Sequence, residues 1–284
     1  MNRLLVTGGK GFTGRHFCEV ARSAGYEVHP LSSDLTDKAA LAEEVRRIRP
    51  HQVVHLAAIS AVTHEDEEAL YRVNLFGTLN LLQALCALDE GPQRVLLASS
   101  ANVYGNPSRC PVTEDCCPAP VNHYAMSKLA MEHMAATYSD RLPLFFVRPF
   151  NYTGIGHDER FVIPKLVRHY AKRAPCIELG NLEVEREFND VRVVCDLYLR
   201  LLEVSKPGEI YNICSGRPVS LRRVMGLLEQ LTDHRMEVRV NPAFVRPNEI
   251  TRLCGSPKKL EDCIGPIEHP PLEDTLRWML SDAL

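Results

Sequence analysis

The chain has 284 residues and a net charge of -3. That length suits one large α/β domain, or a domain with a smaller appendage. The near-neutral balance gives no support for nucleic-acid binding as a main task, and no apolar run reaches membrane-spanning length, so neither partner is expected.

The opening residues "MNRLLVTGG" pass straight into a strand pattern, without the regions of a signal peptide. None of the 10 cysteines forms CxxC or stands beside histidines at zinc-site spacing. Reduced, structural thiols in a cytoplasm are expected. After the first strand, residues 12–24 have helical spacing. "YEVHPL" is a strand, and residues 37–49 form a charged amphipathic helix capped by Thr36 or Asp37. "QVVHLAA" is a continuous apolar strand of the kind parallel sheets require. Residues 70–88 read as one long helix, "RVLLAS" as a strand, and "LPLFFVRP" as another after an intervening helix. Repeated βα units argue for a doubly wound parallel sheet.

Beyond Pro149 the pattern loosens. "IPKLVRHYAKR", "VVCDLYLRLLEV", "SLRRVMGLLEQL" and "LEDTLRWML" are helices, with "MEVRV" following the third. "EIYNIC", near 209–213, is a short strand expected to return to the main sheet. The expected organisation is a Rossmann domain over 1–149 and a smaller α/β substrate-binding part over 150–284.

Three constellations carry chemistry. In "TGGKGFTG", Gly8, Gly11 and Gly14 stand three apart between a strand and a helix. Such a turn lets backbone approach a pyrophosphate at the helix N-terminus. Lys10, Phe12 and Thr13 belong to the same turn. About 20 residues on, where an NAD enzyme usually carries an acid, stands "PLSSDL". Ser32 and Ser33 can hydrogen-bond a 2′-phosphate without repelling it, and Lys10 could add positive charge. NADP(H) is therefore expected, with NAD(H) possible.

In "NHYAMSK", Tyr124 and Lys128 lie one helical turn apart and point the same way. A free tyrosine has a pKa of about 10. A nearby ammonium is expected to lower it, easing proton exchange with an oxygen while hydride moves at the adjoining carbon. "LLASSANVYG" supplies Ser99 and Ser100 at a strand end, where open α/β sheets hold ligands. His51 and His55, in "HQVVHLAA", read as packed and hydrogen-bonded side chains, and no metal is expected. The acidic "HEDEEA" reads as a helix start or a solvated loop.

Taken in order, "TGGKGFTG", "DLTD", "HLAA", "RVNLFGTLNLLQA", "SSANVYG" and "YAMSK" resemble the extended short-chain dehydrogenase/reductase family of nucleotide-sugar enzymes. The resemblance implies Ser100, Tyr124 and Lys128 as the catalytic set. It implies Asp34 and Leu35 near adenine, and Leu56, Ala57, Ala58 and Asn74 along the cofactor. It also implies Phe150 behind the nicotinamide and Asn151 at the substrate diphosphate. Asn102, Val162 and Asn181 are further substrate contacts by the same resemblance. "LGNLEVEREF" is similar to a stretch of enzymes that hold GDP-sugars, with Arg186 and Arg246 gripping diphosphate and Glu249 accepting from ribose.

Within the family, a 4,6-dehydratase carries carboxylates where this chain has Ala101 and Asn102. A 4-epimerase holds NAD tightly and usually has an acid at the second strand. The resemblance therefore implies NADPH-dependent reduction of GDP-4-keto-6-deoxy-D-mannose to GDP-D-rhamnose, with Tyr124 as proton donor. The alternative is a nucleotide-sugar 4-epimerase with tightly bound NAD. The usual C-terminal Gly-Trp-Lys-Pro motif is replaced by "CIGPIEHPPLED". Relatives often dimerise through the 70–88 helix and the tyrosine helix, so the resemblance also implies a homodimer with a four-helix bundle.

Overall fold

Strand β1 (Arg3–Thr7) is a buried apolar run, and its side chains alternate between two faces. Leu4 and Val6 enter one core, while Leu5 enters the other. In the computed structural model, which describes residues 2–60, 66–244 and 250–283, β1 leads through the glycine turn into helix α1 (Phe12–Ser23). There follow β2 (Glu27–Pro30), α2 (Lys38–Ile48), β3 (Gln52–His55), α3 (Glu67–Tyr71), α4 (Thr78–Cys86), β4 (Arg94–Ala98), α5 (His123–Ala136) and β5 (Leu144–Pro149). Asp37 caps α2 by accepting from the Ala40 N–H at 3.0 Å, satisfying a donor that the helix itself cannot.

The second half continues with β6 (Tyr152–Thr153), α6 (Val162–Ala171), β7 (Cys176–Leu179), β8 (Glu185–Arg186), β9 (Asn189–Asp190) and α7 (Val191–Val204). It ends with β10 (Ile210–Ile213), β11 (Val219–Ser220), α8 (Leu221–Thr232), β12 (Glu237–Val240), β13 (Arg252–Leu253), α9 (Lys258–Ile264) and α10 (Leu272–Ala283). Among the described residues, six strands form one parallel sheet in the order β10-β5-β4-β3-β1-β2. Helices α1 and α7 cover one face, and α2, α4 and α5 cover the other. This is a doubly wound, Rossmann-type α/β fold. The inner strands need both faces apolar, hence runs such as QVVH and LFFV, while the edge strand β2 is partly exposed.

A third core, built from α6, α8, α10 and β7, forms the smaller C-terminal part. β10 belongs to the main sheet instead, paired with β5, Tyr211 opposite Val147. No helix among the described residues is long and apolar enough to cross a membrane. All ten cysteines are unpaired.

The long helix expected over 70–88 is a continuous helical run over 67–86, in which a π-helical stretch, Arg72–Gly77, lies between α3 and α4. The wider turn carries Asn74 inward, where its side chain is buried and bridges two segments. Such π turns recur at functional sites. Arg246 and Glu249 lie outside the described residues, as do His64 and Glu65 of the acidic segment.

Candidate active site

The parallel sheet sends its loops out at the carboxyl edge, where such folds hold ligands. Gly8, directly after β1, has φ +69°, a left-handed conformation that favours glycine. A Cβ there would come within 2.7 Å of the Ala57 nitrogen, and a Cβ on Gly14 would strike the Gly8 carbonyl oxygen. The turn is thus pressed against the "HLAA" loop. Helix α1 starts at Gly11 without a side-chain cap, which leaves its first N–H groups to the cleft. This bare backbone cradle fits a dinucleotide pyrophosphate.

The side chains of the turn do other work. Phe12 stacks on His157 at 4.4 Å, and Thr13 Oγ1 hydrogen-bonds the Tyr152 hydroxyl at 2.7 Å. Lys10 is exposed at the tip. Asp34 accepts from the Thr36 N–H and hydroxyl, which hold its carboxyl below the usual range. Leu35 is buried, with its backbone oxygen accepting from Asn80. Leu56, Ala57 and Ala58 are half-buried along the loop after β3. Ser32 and Ser33, the expected receivers of a 2′-phosphate, instead donate to the carboxylate of Glu44.

Helix α5 is capped by Asn122, whose Oδ1 accepts from the Ala125 N–H at 2.8 Å. Its inward face carries Tyr124, Lys128 and Glu132, each one turn from the next. Tyr124 hydrogen-bonds Ser100, which stands just past the end of β4. Asn102 donates to Ser100 Oγ through its backbone N–H at 3.2 Å and its amide at 3.1 Å. Two donors on that oxygen leave the serine's own proton to the phenol side. The amide of Asn102, expected at the substrate, therefore orients the serine.

Lys128 is buried, and its ammonium donates to the Ala98 carbonyl at 2.7 Å. Burial brings its pKa down to about 8, with Glu132 pulling upward. The expectation that Lys128 lowers the Tyr124 pKa is corrected. Burial pushes the phenol up, and only the Ser100 hydrogen bond pulls back. A dry pocket disfavours phenolate more than its surroundings favour it. At neutral pH the site therefore presents a protonated phenol beside a cationic lysine.

Behind these groups runs a chain of hydrogen bonds. Asn74 accepts from the Ile59 N–H at 2.9 Å and donates to Ser127 Oγ at 3.0 Å. Thr78 Oγ1 donates to the Asn74 carbonyl and meets His55 Nε2 at 2.8 Å. His55 Nδ1 meets Thr7 Oγ1, which accepts from the Ala57 N–H. Because Thr78 spends its proton on Asn74, Nε2 must carry the imidazole proton. Burial, then the Lys128 charge, drive His55 down to about 3, so it is neutral. Among the described residues no cluster could hold a metal.

Phe150 is only 1% exposed and is walled by Tyr104 and Gly255, so it shapes the site from behind. Asn151 is exposed after β5. Val162 opens α6, and Asn181 Oδ1 accepts from the Glu183 N–H. Arg186 donates to the backbone oxygens of Glu185 and Ile250. Of the described residues expected at the substrate, Asn102 and Asn151 follow strands of the main sheet, and Val162, Asn181 and Arg186 come later in the chain.

Two features went unread in the sequence. One is Glu44. The other is a buried pair in which Arg148 donates to both oxygens of Glu132, at 3.0 and 2.6 Å, and to the Tyr104 hydroxyl at 2.9 Å. An arginine ending the apolar run LFFVRP was the available signal, since a buried guanidinium needs an acid.

The model of the NAD dependent epimerase/dehydratase family matches residues 4–214. The chain belongs to this family. This epimerase/dehydratase-family chain is 36% identical to GDP-6-deoxy-D-talose 4-dehydrogenase of Aggregatibacter actinomycetemcomitans, over 93% of this chain and 91% of the relative. It is 34% identical to GDP-6-deoxy-D-mannose reductase of Pseudomonas aeruginosa, over 99% of this chain and 96% of the relative. The structure of RMD from Pseudomonas aeruginosa complexed with NADPH superposes on this family member with a TM-score of 0.92 at 33% identity, covering 100% of this chain and 99% of that one.

Proposed function

We propose that the protein is a nicotinamide-dependent 4-ketoreductase of a GDP-4-keto-6-deoxy sugar. The observation that carries this reading is the hydrogen-bonded Ser100–Tyr124 pair with Lys128 one turn away, beside a glycine cradle at one sheet edge. The names of the two relatives, both acting on GDP-6-deoxy sugars, support the nucleotide and the reaction class. NADPH in the similar structure supports a nicotinamide dinucleotide, NADP(H) or NAD(H), as coenzyme.

The dinucleotide, held by Gly8, Gly11, Gly14 and the start of α1, supplies the hydride when bound. The chain supplies the proton. As the ketone oxygen gains charge, the Tyr124 phenol gives its proton to that oxygen. An alkoxide is a far stronger base than phenolate, so a raised tyrosine pKa still leaves the transfer downhill. Ser100, oriented by the two Asn102 donors, gives its own proton to the phenol oxygen and so steadies the phenolate that forms. Lys128, whose ammonium keeps two donors beyond the one given to Ala98, would hold the nicotinamide ribose hydroxyls. With Ala101 and Asn102 after the active serine, no carboxylate stands there to expel water, which supports reduction over dehydration.

Residues 1–149 make the coenzyme part, and 150–284 mainly the substrate part, with Asn151, Val162, Asn181 and Arg186 facing the nucleotide sugar. Phe76 and Met126, 55% and 44% exposed, lie on the helices proposed to pair two copies. Sedimentation as a monomer at micromolar concentration would remove that dimer.

The test follows the loss of NADPH absorbance with GDP-4-keto-6-deoxy-D-mannose against its dTDP counterpart. The expected result is turnover of the GDP substrate, with GDP-D-rhamnose formed. Its 4-epimer, GDP-6-deoxy-D-talose, would reverse the ketone face. Turnover of the dTDP sugar alone would overturn the GDP reading.

A further inference from the structure

The end of β2 is where doubly wound folds meet the adenosine ribose of a dinucleotide. Here that end is filled by a side chain from another element. Glu44, on the second turn of α2, is 8% exposed. Its Oε1 accepts from the Ser32 N–H at 3.1 Å and the Ser32 hydroxyl at 2.7 Å. Its Oε2 accepts from the Ser33 N–H at 2.8 Å and from the Ser33 hydroxyl. Arg47 lies 3.5 Å away. Burial alone would raise this carboxyl, but the hydroxyl and backbone donors of Ser33 and Ser32 outweigh it and hold it down at about 2.

A 2′-phosphate at this strand end would call on those same four donors. It would meet a carboxylate already seated on them, of its own sign and shielded from water. A ribose 2′-hydroxyl has the opposite need, since it is served by an acceptor. The geometry points to Glu44 as a coenzyme-specificity residue that disfavours the 2′-phosphate and so favours NAD(H) over its phosphorylated form. The acid that such folds usually carry at the tip of β2 is delivered here from α2. The inference rests on the cleft being a nicotinamide-dinucleotide site and decides which form suits it.

The experiment titrates the full chain and its Glu44→Gln variant with NADH and NADPH, read by fluorescence of the bound dihydronicotinamide. The unaltered chain is expected to bind NADH at least as tightly as NADPH. In Glu44→Gln the preference should move toward NADPH by about tenfold or more, the equivalent of about 1.4 kcal/mol. Competition by adenosine 2′,5′-bisphosphate against ADP gives the same comparison in the unaltered chain, whether or not the variant folds. NADPH and the bisphosphate binding more than about tenfold tighter to the unaltered chain would overturn the inference. An unchanged ratio in a folded Glu44→Gln would overturn it too. If the unaltered chain bound neither dinucleotide, the coenzyme reading beneath it would fall instead.

Discussion

Tyr124 and Lys128 share a helix face, yet the structure gives them tasks that spacing alone does not reveal. The phenol is neutral because its pocket is dry, which suits a group that must deliver a proton. Tyr124→Phe should lower kcat by about 10³-fold, within the range of a lost general acid. Affinity for the dinucleotide, measured by fluorescence titration, should stay nearly unchanged. Unaltered turnover would remove the tyrosine from the mechanism. Lys128 has a folded pKa of about 8, below its ordinary 10.5. It is charged below about pH 8 and neutral above, so kcat/KM for reduction should fall as pH rises through that value. The linked stability runs the other way. Between about 8 and 10.5 the unfolded chain binds more protons, so folding is progressively less opposed by this residue as pH rises. Lys128→Met should remove the alkaline limb along with most of the activity. The pair itself was legible from a four-residue spacing. The direction of the tyrosine shift was not, because burial depends on what other elements bring to the pocket.

Two short elements hold the site at the right distance. The glycine turn leaves no room for a Cβ at Gly14, whose neighbour would be the Gly8 carbonyl. Gly14→Ala should destabilise the chain by about 1–3 kcal/mol, as overpacking does. It should also lose most dinucleotide affinity, read by calorimetry of binding. Retained affinity with an unchanged melting curve would show that the turn opens freely. The turn was legible because glycines at a strand-to-helix junction have few other uses. The π-helical stretch at Arg72–Gly77 was not. Its periodicity is nearly that of an ordinary helix, and the wider turn goes with the contacts that the buried Asn74 makes to Ile59 and Ser127.

At the scale of the whole molecule, buried polar groups tie separate elements together beneath the active site. Arg148 on β5 joins Glu132 on α5 to Tyr104, whose hydroxyl donates to Asn212 on β10 at 2.8 Å. Glu187, fully buried, accepts from the N–H groups of Ser215 and Gly255 at 2.6 and 2.7 Å. Arg148→Met would strand the Glu132 charge in the interior. The expected cost is about 3–5 kcal/mol, a fall in Tm of roughly 10 °C by thermal scanning. An unchanged Tm would mean that Glu132 takes up a proton cheaply or finds another partner.

Local order determined much of this protein from sequence alone. Apolar runs of strand length, helix caps such as Asp37 and Asn122, the glycine turn and the Tyr124–Lys128 spacing all act over a few residues. Their physics is written where they stand. What tertiary structure decided are the meetings across the chain: Glu44 against Ser32 and Ser33, Arg148 against Glu132, and the dryness around Tyr124. Each depends on a low-dielectric interior that forms only when separate elements pack, and there an unpaired charge or donor is costly enough to dictate its partner.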